Sequence, residues 1–225
     1  MSLFLSYILK AVNESYENEI RSREKEFATY SKISLYIVTW NLGGYTLNQN
    51  LDLKGLFDFR GNPAPDFIVV GFQEYIELNA SAVLSSTGKA IVLQWIDLII
   101  RTLKEHDTYN LVSARDLVGL VLMVFVKEST SKSIMHVDTD KVKTGLAGKI
   151  GNKGAVICKL HVHDTSFCFV NCHLDPHAKG LEGRIANLND IHQKAFQEEG
   201  LGKRKVGLFI NVYLIGYLER ENTKP

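Results

Sequence analysis

The sequence predicts an α/β protein in which buried strands alternate with amphipathic helices, and three observations carry that reading. Ser34–Trp40, Asp66–Phe72, Ala155–Val162 and Phe167–Cys172 are runs of β-branched, aromatic and other apolar residues, of strand length. Lys89–Glu105 and Leu181–Glu199 instead repeat their apolar residues at intervals of three and four, the spacing of one helix face. The chain has 225 residues, 45% of them hydrophobic and 23% charged, enough for one large domain with a real core.

Charge and cysteine usage exclude several classes. A net charge of +1 gives no support for a protein that coats nucleic acid or membrane along its whole surface, so any phosphate recognition must be local. Cys158, Cys168 and Cys172 all fall in strand-like runs and lack a C-x-x-C pair. That pattern predicts buried, reduced thiols in a reducing compartment rather than a disulfide frame or a zinc site. Met1–Val12 has neither a basic leader region nor a small-residue cleavage site, and no segment reaches the roughly 18–20 apolar residues of a membrane span. Val206–Leu218 comes closest, but it is too short and carries Asn211. The expectation is a cytoplasmic protein with no transmembrane segment.

In chain order, Leu5, Ile8, Val12, Tyr16, Ile20 and Phe27 form a helical stripe that Arg23 interrupts. It is a lead-in helix over residues 1–30, too short for sustained heptads. Ser34–Trp40 is a strand running into the tight Asn41-Leu42-Gly43-Gly44 loop. Leu47–Asn62 reads as a loop with a short helical turn. Asp66–Phe72 is almost wholly apolar, as a strand buried on both faces requires, and it ends in Gln73-Glu74. Lys89–Glu105 presents Ile91, Trp95, Leu98, Ile99 and Leu103 to the core. Tyr109–Ser113, Leu117–Val126 and a short Ser133–Asp138 are further strands. Ala155–Val162 and Phe167–Cys172, split by His163-Asp164-Thr165, form a hairpin. The helix Leu181–Glu199 turns Ile185, Leu188, Ile191, Ala195 and Phe196 inward.

The candidate chemistry gathers at strand ends. Between Lys141 and Lys153 there is no acidic residue, and Gly145, Gly148, Gly151 and Gly154 alternate with Lys149 and Lys153. Such a loop can aim backbone N–H groups and ammonium groups at a phosphate; a solvated turn is the competing reading. The second hairpin strand delivers His173. A carboxylate at the end of a buried strand, such as Glu74, is expensive unless it is paired or binds a cation. With Asn41 as a neighbouring oxygen donor it suits Mg²⁺, which takes one or two carboxylates and completes its shell with water and phosphate oxygens. Taken singly, Glu74 also fits a surface carboxylate, Asn41 a turn former and His173 a core histidine.

The ordered set TWN, PDFIVVGFQE, DTDKVKTGLAGKIGNKGAV and SFCFVNCHL, followed by a helix with Arg184 and Asn187–Asp190, resembles the inositol polyphosphate 5-phosphatases, with the synaptojanin-like catalytic domains the nearest branch. The resemblance spans roughly residues 30–196. It implies a partial four-layer α/β sandwich of the endonuclease/exonuclease/phosphatase type, truncated at its C-terminal side. On this reading residues 31–225 are an incomplete catalytic domain with a divergent tail over 200–225. The resemblance further implies that Asn41 and Glu74 hold Mg²⁺, that His173 contacts the scissile phosphate, and that Asn152 and Lys153 face the inositol ring; the loop's own run of glycines and lysines adds Lys149 as a substrate contact. The implied reaction is Mg²⁺-dependent hydrolysis of a 5-phosphate on a phosphoinositide head group or a soluble inositol phosphate, with peripheral contact at a membrane. The tail Val212–Arg220 can be laid on the family's strand and GDLNYR-like motif, which sets Tyr217 at the Asp position and Glu219 at the Asn position, or it is unrelated sequence; the family's later CDR and SDH motifs have no counterpart. A binding relic without turnover is therefore one alternative. A Mg²⁺-dependent nuclease of the same fold is the other, with the neutral charge and the GNKGAV loop against it.

Overall fold

A computed structural model describes residues 2–45, 47, 51–76, 87–145, 150–175, 180–197 and 211–217; at 2–11, 87, 145, 150–152 and 211–217 the description covers the backbone and not the side chains. The chain divides into two compact units, Met1–Ile33 and Ser34–Pro225. The first consists of helix α1 (Ser2–Ser22) and the single turn α2 (Glu24–Phe27). They part at Arg23, the residue that interrupts the apolar stripe; its N–H reaches back to Glu19 O and Ile20 O, and its guanidinium pairs with Glu26 at 2.8 Å. Val12, Tyr16, Ile20 and Phe27 along that stripe are exposed.

The second unit is built on two four-stranded sheets. The first contains β1 (Leu35–Asn41), β2 (Phe67–Gln73), β3 (Tyr109–Leu117) and β4 (Leu120–Lys127), in the order β1-β2-β4-β3. Only the β1–β2 pair is parallel. The second contains β5 (Ile134–Gly145), β6 (Ile150–Val162), β7 (Thr165–His173) and β8 (Asn211–Tyr217) in sequence order, with β7 and β8 parallel. Every residue of β2 is buried, as its unbroken apolar sequence requires of a strand covered on both faces.

One face of the first sheet packs on helix α3 (Thr87–Leu103). Val38, Val70, Phe72, Met123 and Phe125 meet Trp95, Ile99 and Leu103 there, with Trp95 edge-on to Phe72 at 4.9 Å. One face of the second sheet packs on helix α5 (Leu181–Lys194), where Ala155, Ile157, Cys168 and Val170 meet Ile191 and Ala195. The sheets face each other through contacts such as the stacked Phe67 and Phe167 rings, 6.1 Å apart. Helix, sheet, sheet and helix make the four layers that the family resemblance implies. The remaining short elements are a 3-10 turn at Lys54–Phe57, in the loop where a helical turn was expected, and helix α4 (Glu128–Ser131).

Several boundaries differ from the sequence reading. β5 continues from Ile134 to Gly145 instead of ending near Asp138, because alternating polar residues such as Asp140, Lys141 and Lys143 sit on a ladder with β6 that apolarity does not reveal. The presumed glycine loop is for the most part strand: Gly145 closes β5, Gly151 and Gly154 lie in β6, and the connection 146–149, with Gly148 and Lys149, falls outside the described residues. Ile191 on α5 and Ala195 just past its end are buried but Ile185 and Leu188 are exposed; the buried residue one turn before Ile191 is Asn187. The thiols behave as expected. Cys158, Cys168 and Cys172 are free and buried, and burial pushes them up to about 12, 11 and 12.

Candidate functional site

The parallel pairs of both sheets end at the same place. In the first sheet Asn41 stands opposite Gln73, and in the second His173 stands opposite Tyr217. Strand ends free the backbone from the ladder, so the side chains that follow can gather around a common point.

From the first sheet come Asn41 and Glu74. Asn41 Nδ2 donates to Glu74 Oε1 at 3.1 Å, and Asn41 Oδ1 accepts from Gly43 N at 2.9 Å in the short side-chain turn that asparagine favours. Leu42 N donates to Gln73 O and Gly44 N to Glu74 O, each at 2.8 Å, which binds the Asn41–Gly44 loop to the end of β2. Glu74 itself has φ +50, a left-handed conformation a glutamate adopts only when its surroundings impose it. That turn takes the carboxylate out of the line of β2, and its side chain keeps 24% of its accessible surface.

From the second sheet come Lys153 and His173. Gly154 pairs with His173 across β6 and β7, which sets Lys153 beside the histidine. The Lys153 ammonium contacts His173 Nε2 directly, and Glu74 Oε1 lies 3.5 Å from the same nitrogen. An ammonium can only donate, so in its contact with Lys153 the His173 Nε2 is the acceptor. Burial, reinforced by the Lys153 charge and opposed by Glu74, lowers His173 from 6.5 to about 4. The imidazole is therefore neutral near pH 7. Its buried Nδ1 has no hydrogen-bond partner among the described residues.

Asn41, Glu74, Lys153 and His173 are thus brought together. Asn152 lies in β6 next to Lys153, with its side chain outside the described residues, and Lys149 is wholly outside them. The sequence reading assigned no role to the amides behind the site, although Gln73 and Asn187 lie in the motifs it singled out. Asn171, fully buried on β7, bridges to Gln73, fully buried at the end of β2, at 2.6 Å. Its signal was a polar residue inside an apolar strand, since a buried amide requires partners. Asn187 of α5 accepts from Asp175 N at 3.1 Å and so holds the segment that follows His173.

As a cation site, Glu74 offers a carboxylate that could take a hard divalent ion, whereas Asn41 here turns its Nδ2 to that carboxylate and its Oδ1 to Gly43 N, so it could serve as an oxygen ligand only after its amide turns. No group of three or more His, Cys, Asp or Glu residues that could hold a metal occurs among the described residues. Water and substrate oxygens would have to complete the shell, the habit of Mg²⁺. No helix among the described residues is long and apolar enough to cross a membrane, which says nothing of β-barrels.

The sequence matches the endonuclease/exonuclease/phosphatase family 2 over residues 38–212. It is 34% identical over 181 residues to the polyphosphatidylinositol phosphatase INP53 of Saccharomyces cerevisiae, an alignment that covers 80% of this chain and 16% of that protein. It is 32% identical over 205 residues to human synaptojanin-2, covering 83% of this chain and 13% of that one. Among solved structures it is similar to the inositol polyphosphate 5-phosphatase domain of a synaptojanin in complex with inositol (1,4)-bisphosphate and a calcium ion. That likeness has a TM-score of 0.75 and 28% identity, and covers 90% of this chain and 57% of the other. The chain therefore spans a small part of these curated relatives and little more than half of the solved domain.

Proposed function

We propose, because this chain belongs to the endonuclease/exonuclease/phosphatase family 2 and within it to the inositol polyphosphate 5-phosphatases, that its site takes a 5-phosphorylated inositol head group and serves Mg²⁺-dependent phosphoric monoester hydrolysis. The observation that carries this reading is the meeting of the Glu74 carboxylate, the Lys153 ammonium and the His173 imidazole at strand ends contributed by both sheets. The inositol (1,4)-bisphosphate named with the solved relative is the molecule left when a 1,4,5-trisphosphate loses its 5-phosphate, which supports the substrate class. Phosphoinositide lipid and soluble inositol phosphate share that head group. A lipid substrate would bring the protein to a membrane surface.

Each residue has a role that its chemistry supports. Glu74 and Asn41 would hold the divalent ion, which when bound supplies charge neutralisation at the phosphoryl oxygens. Lys153 binds a phosphoryl oxygen through an ammonium already aimed at the His173 nitrogen that the phosphate would meet. A phosphate dianion beside His173 Nε2 favours its charged form, so the imidazole changes from acceptor to donor as the substrate arrives. Asn152, and Lys149 beyond it, would extend the contact to the inositol ring.

A second reading, binding without turnover, has its own support. Tyr217 ends β8 in register with His173, where the family pattern has an aspartate, and Glu219 replaces the asparagine two positions on. Phosphate release by Met1–Pro225 from a 5-phosphorylated inositol lipid with Mg²⁺ tests the first reading, with Glu74→Gln as the reference. Release that disappears in Glu74→Gln supports hydrolysis. Release no greater than that of Glu74→Gln, with inositol (1,4)-bisphosphate still bound, establishes the second. Absence of both sinks the phosphate site itself.

A further inference from the structure

We propose that Gln73 and Asn171 are positioning residues, a cross-sheet amide bolt that fixes the separation between Glu74 on one sheet and the Lys153–His173 pair on the other. The proposal rests on the reading of the site as a phosphate site. Each sheet supplies half of the chemistry, so the halves meet correctly only if the sheets do not slide. Apolar packing between sheets is non-directional and resists small shifts weakly. Hydrogen bonds between buried amides have direction, and here they cross the layer.

Asn171 uses its whole amide for this. Its Nδ2 donates to Phe72 O at 3.1 Å and Val121 O at 2.9 Å, both in the first sheet, and its Oδ1 accepts from Gln73 Nε2 at 2.6 Å. Gln73 Nε2 also reaches Thr39 Oγ1 at 3.3 Å, which brings in β1. β1, β2, β4 and β7 are thereby joined at one level. Gln73 immediately precedes Glu74. Asn171 lies two residues before His173, on the same face of β7 because strand side chains alternate. The bolt is therefore one residue from one half of the site and two from the other.

Two further facts favour positioning over plain stability. Gln73 Oε1 is buried with no partner among the described residues, a cost that an apolar side chain of similar length would avoid. His173 Nδ1 is likewise without a partner among the described residues, so the ring lacks the outer hydrogen bond that usually fixes a functional histidine. Its placement then depends on the Nε2 contacts to Lys153 and Glu74 and on the position of β7, which the bolt sets.

The test uses full-length Met1–Pro225 with Gln73→Met, Asn171→Ser, the double variant, and Val70→Ala as a core control on the α3 side. The readouts are thermal unfolding, the ring ¹⁵N signals of His173 without ligand, and affinity for inositol (1,4)-bisphosphate with Mg²⁺. Gln73→Met is expected to unfold cooperatively, to shift the His173 signals and to weaken affinity by about 10- to 100-fold, as loss of an outer-layer support does. Asn171→Ser should do the same, and the double variant should be no worse than the weaker single, because the two act as one unit. Val70→Ala should leave both signals and affinity in place. Unchanged His173 signals in Gln73→Met, an equal effect in Val70→Ala, or loss of the fold in both amide variants would overturn the proposal. If the wild-type chain does not bind the probe, the phosphate reading fails, and the ligand-free His173 signals still decide the bolt.

Discussion

His173 gives the molecule a pH dependence whose sign follows from its surroundings. Burial and Lys153 lower it to about 4 from 6.5. The unfolded chain accepts the proton first, so the stability from keeping the ring neutral is complete above about pH 6.5 and is lost as the pH falls towards 4. Urea unfolding at pH 7, 5.5 and 4.5 should show wild type losing more stability on acidification than His173→Gln. Equal slopes would mean that the ring is not held neutral. At the same site, Lys153→Ala should weaken inositol (1,4)-bisphosphate binding by about tenfold at low salt, as removal of a charge-assisted contact does. The wild-type advantage should shrink as salt rises, since exposed charge attraction is screened over about 8–10 Å. Calorimetric titration at low and high ionic strength checks both; unchanged affinity at low salt would make Lys153 a solvated strand residue.

Among the elements, β6 is held on both sides, by β5 and by β7, and Gly154 shows how closely. It pairs with Lys143 on one side and His173 on the other, with φ +148, and a Cβ built there would lie 2.0 Å from Val142 O on β5. Backbone cannot yield as a flexible side chain can. Gly154→Ala is expected to destabilise the chain by about 2 kcal/mol or more and to displace His173. Denaturant unfolding measures the first effect, and a midpoint unchanged from wild type would show that β5 moves aside freely. Helix α3 depends on Trp95, fully buried against Phe72 with its Nε1 unpartnered among the described residues. Trp95→Ala should cost about 3–5 kcal/mol. Trp95→Phe should cost clearly less, because it also removes the orphaned N–H; equal losses would point to a hidden partner for that nitrogen.

For the whole molecule, the site is assembled by the meeting of two sheets, and its chemistry is uneven across them. Asn41, Glu74, Lys153 and His173 are the groups proposed to take the cation and the phosphate, while the proposed alignment of the tail sets Tyr217 and Glu219 where the family pattern carries the groups that orient water. General acid–base groups contribute about 10²- to 10⁴-fold each. Phosphate release by Met1–Pro225 is therefore expected to be at least about a hundredfold slower than that of a complete synaptojanin 5-phosphatase domain. A side-by-side assay on one lipid substrate decides this, and a rate within about tenfold would show that other residues orient the water.

The sequence by itself determined the fold class, the family and the residues at the strand ends. Apolar runs such as Phe67–Gln73 and helical stripes such as Trp95–Ile99–Leu103 record burial directly, and the spacing of TWN, FQE, GNKGAV and the His173 strand records a chemistry. It did not show that the glycine-rich stretch is mostly strand, because ladder pairs such as Lys143–Gly154 and Gly154–His173 are invisible in local composition. Nor could it show that Asn171 reaches across to Gln73, about 98 positions earlier, or that His173 is neutral beside Lys153. Those depend on which buried groups the two sheets press together. Hydrogen bonding and desolvation act through space, and only the tertiary structure sets the distances over which they act.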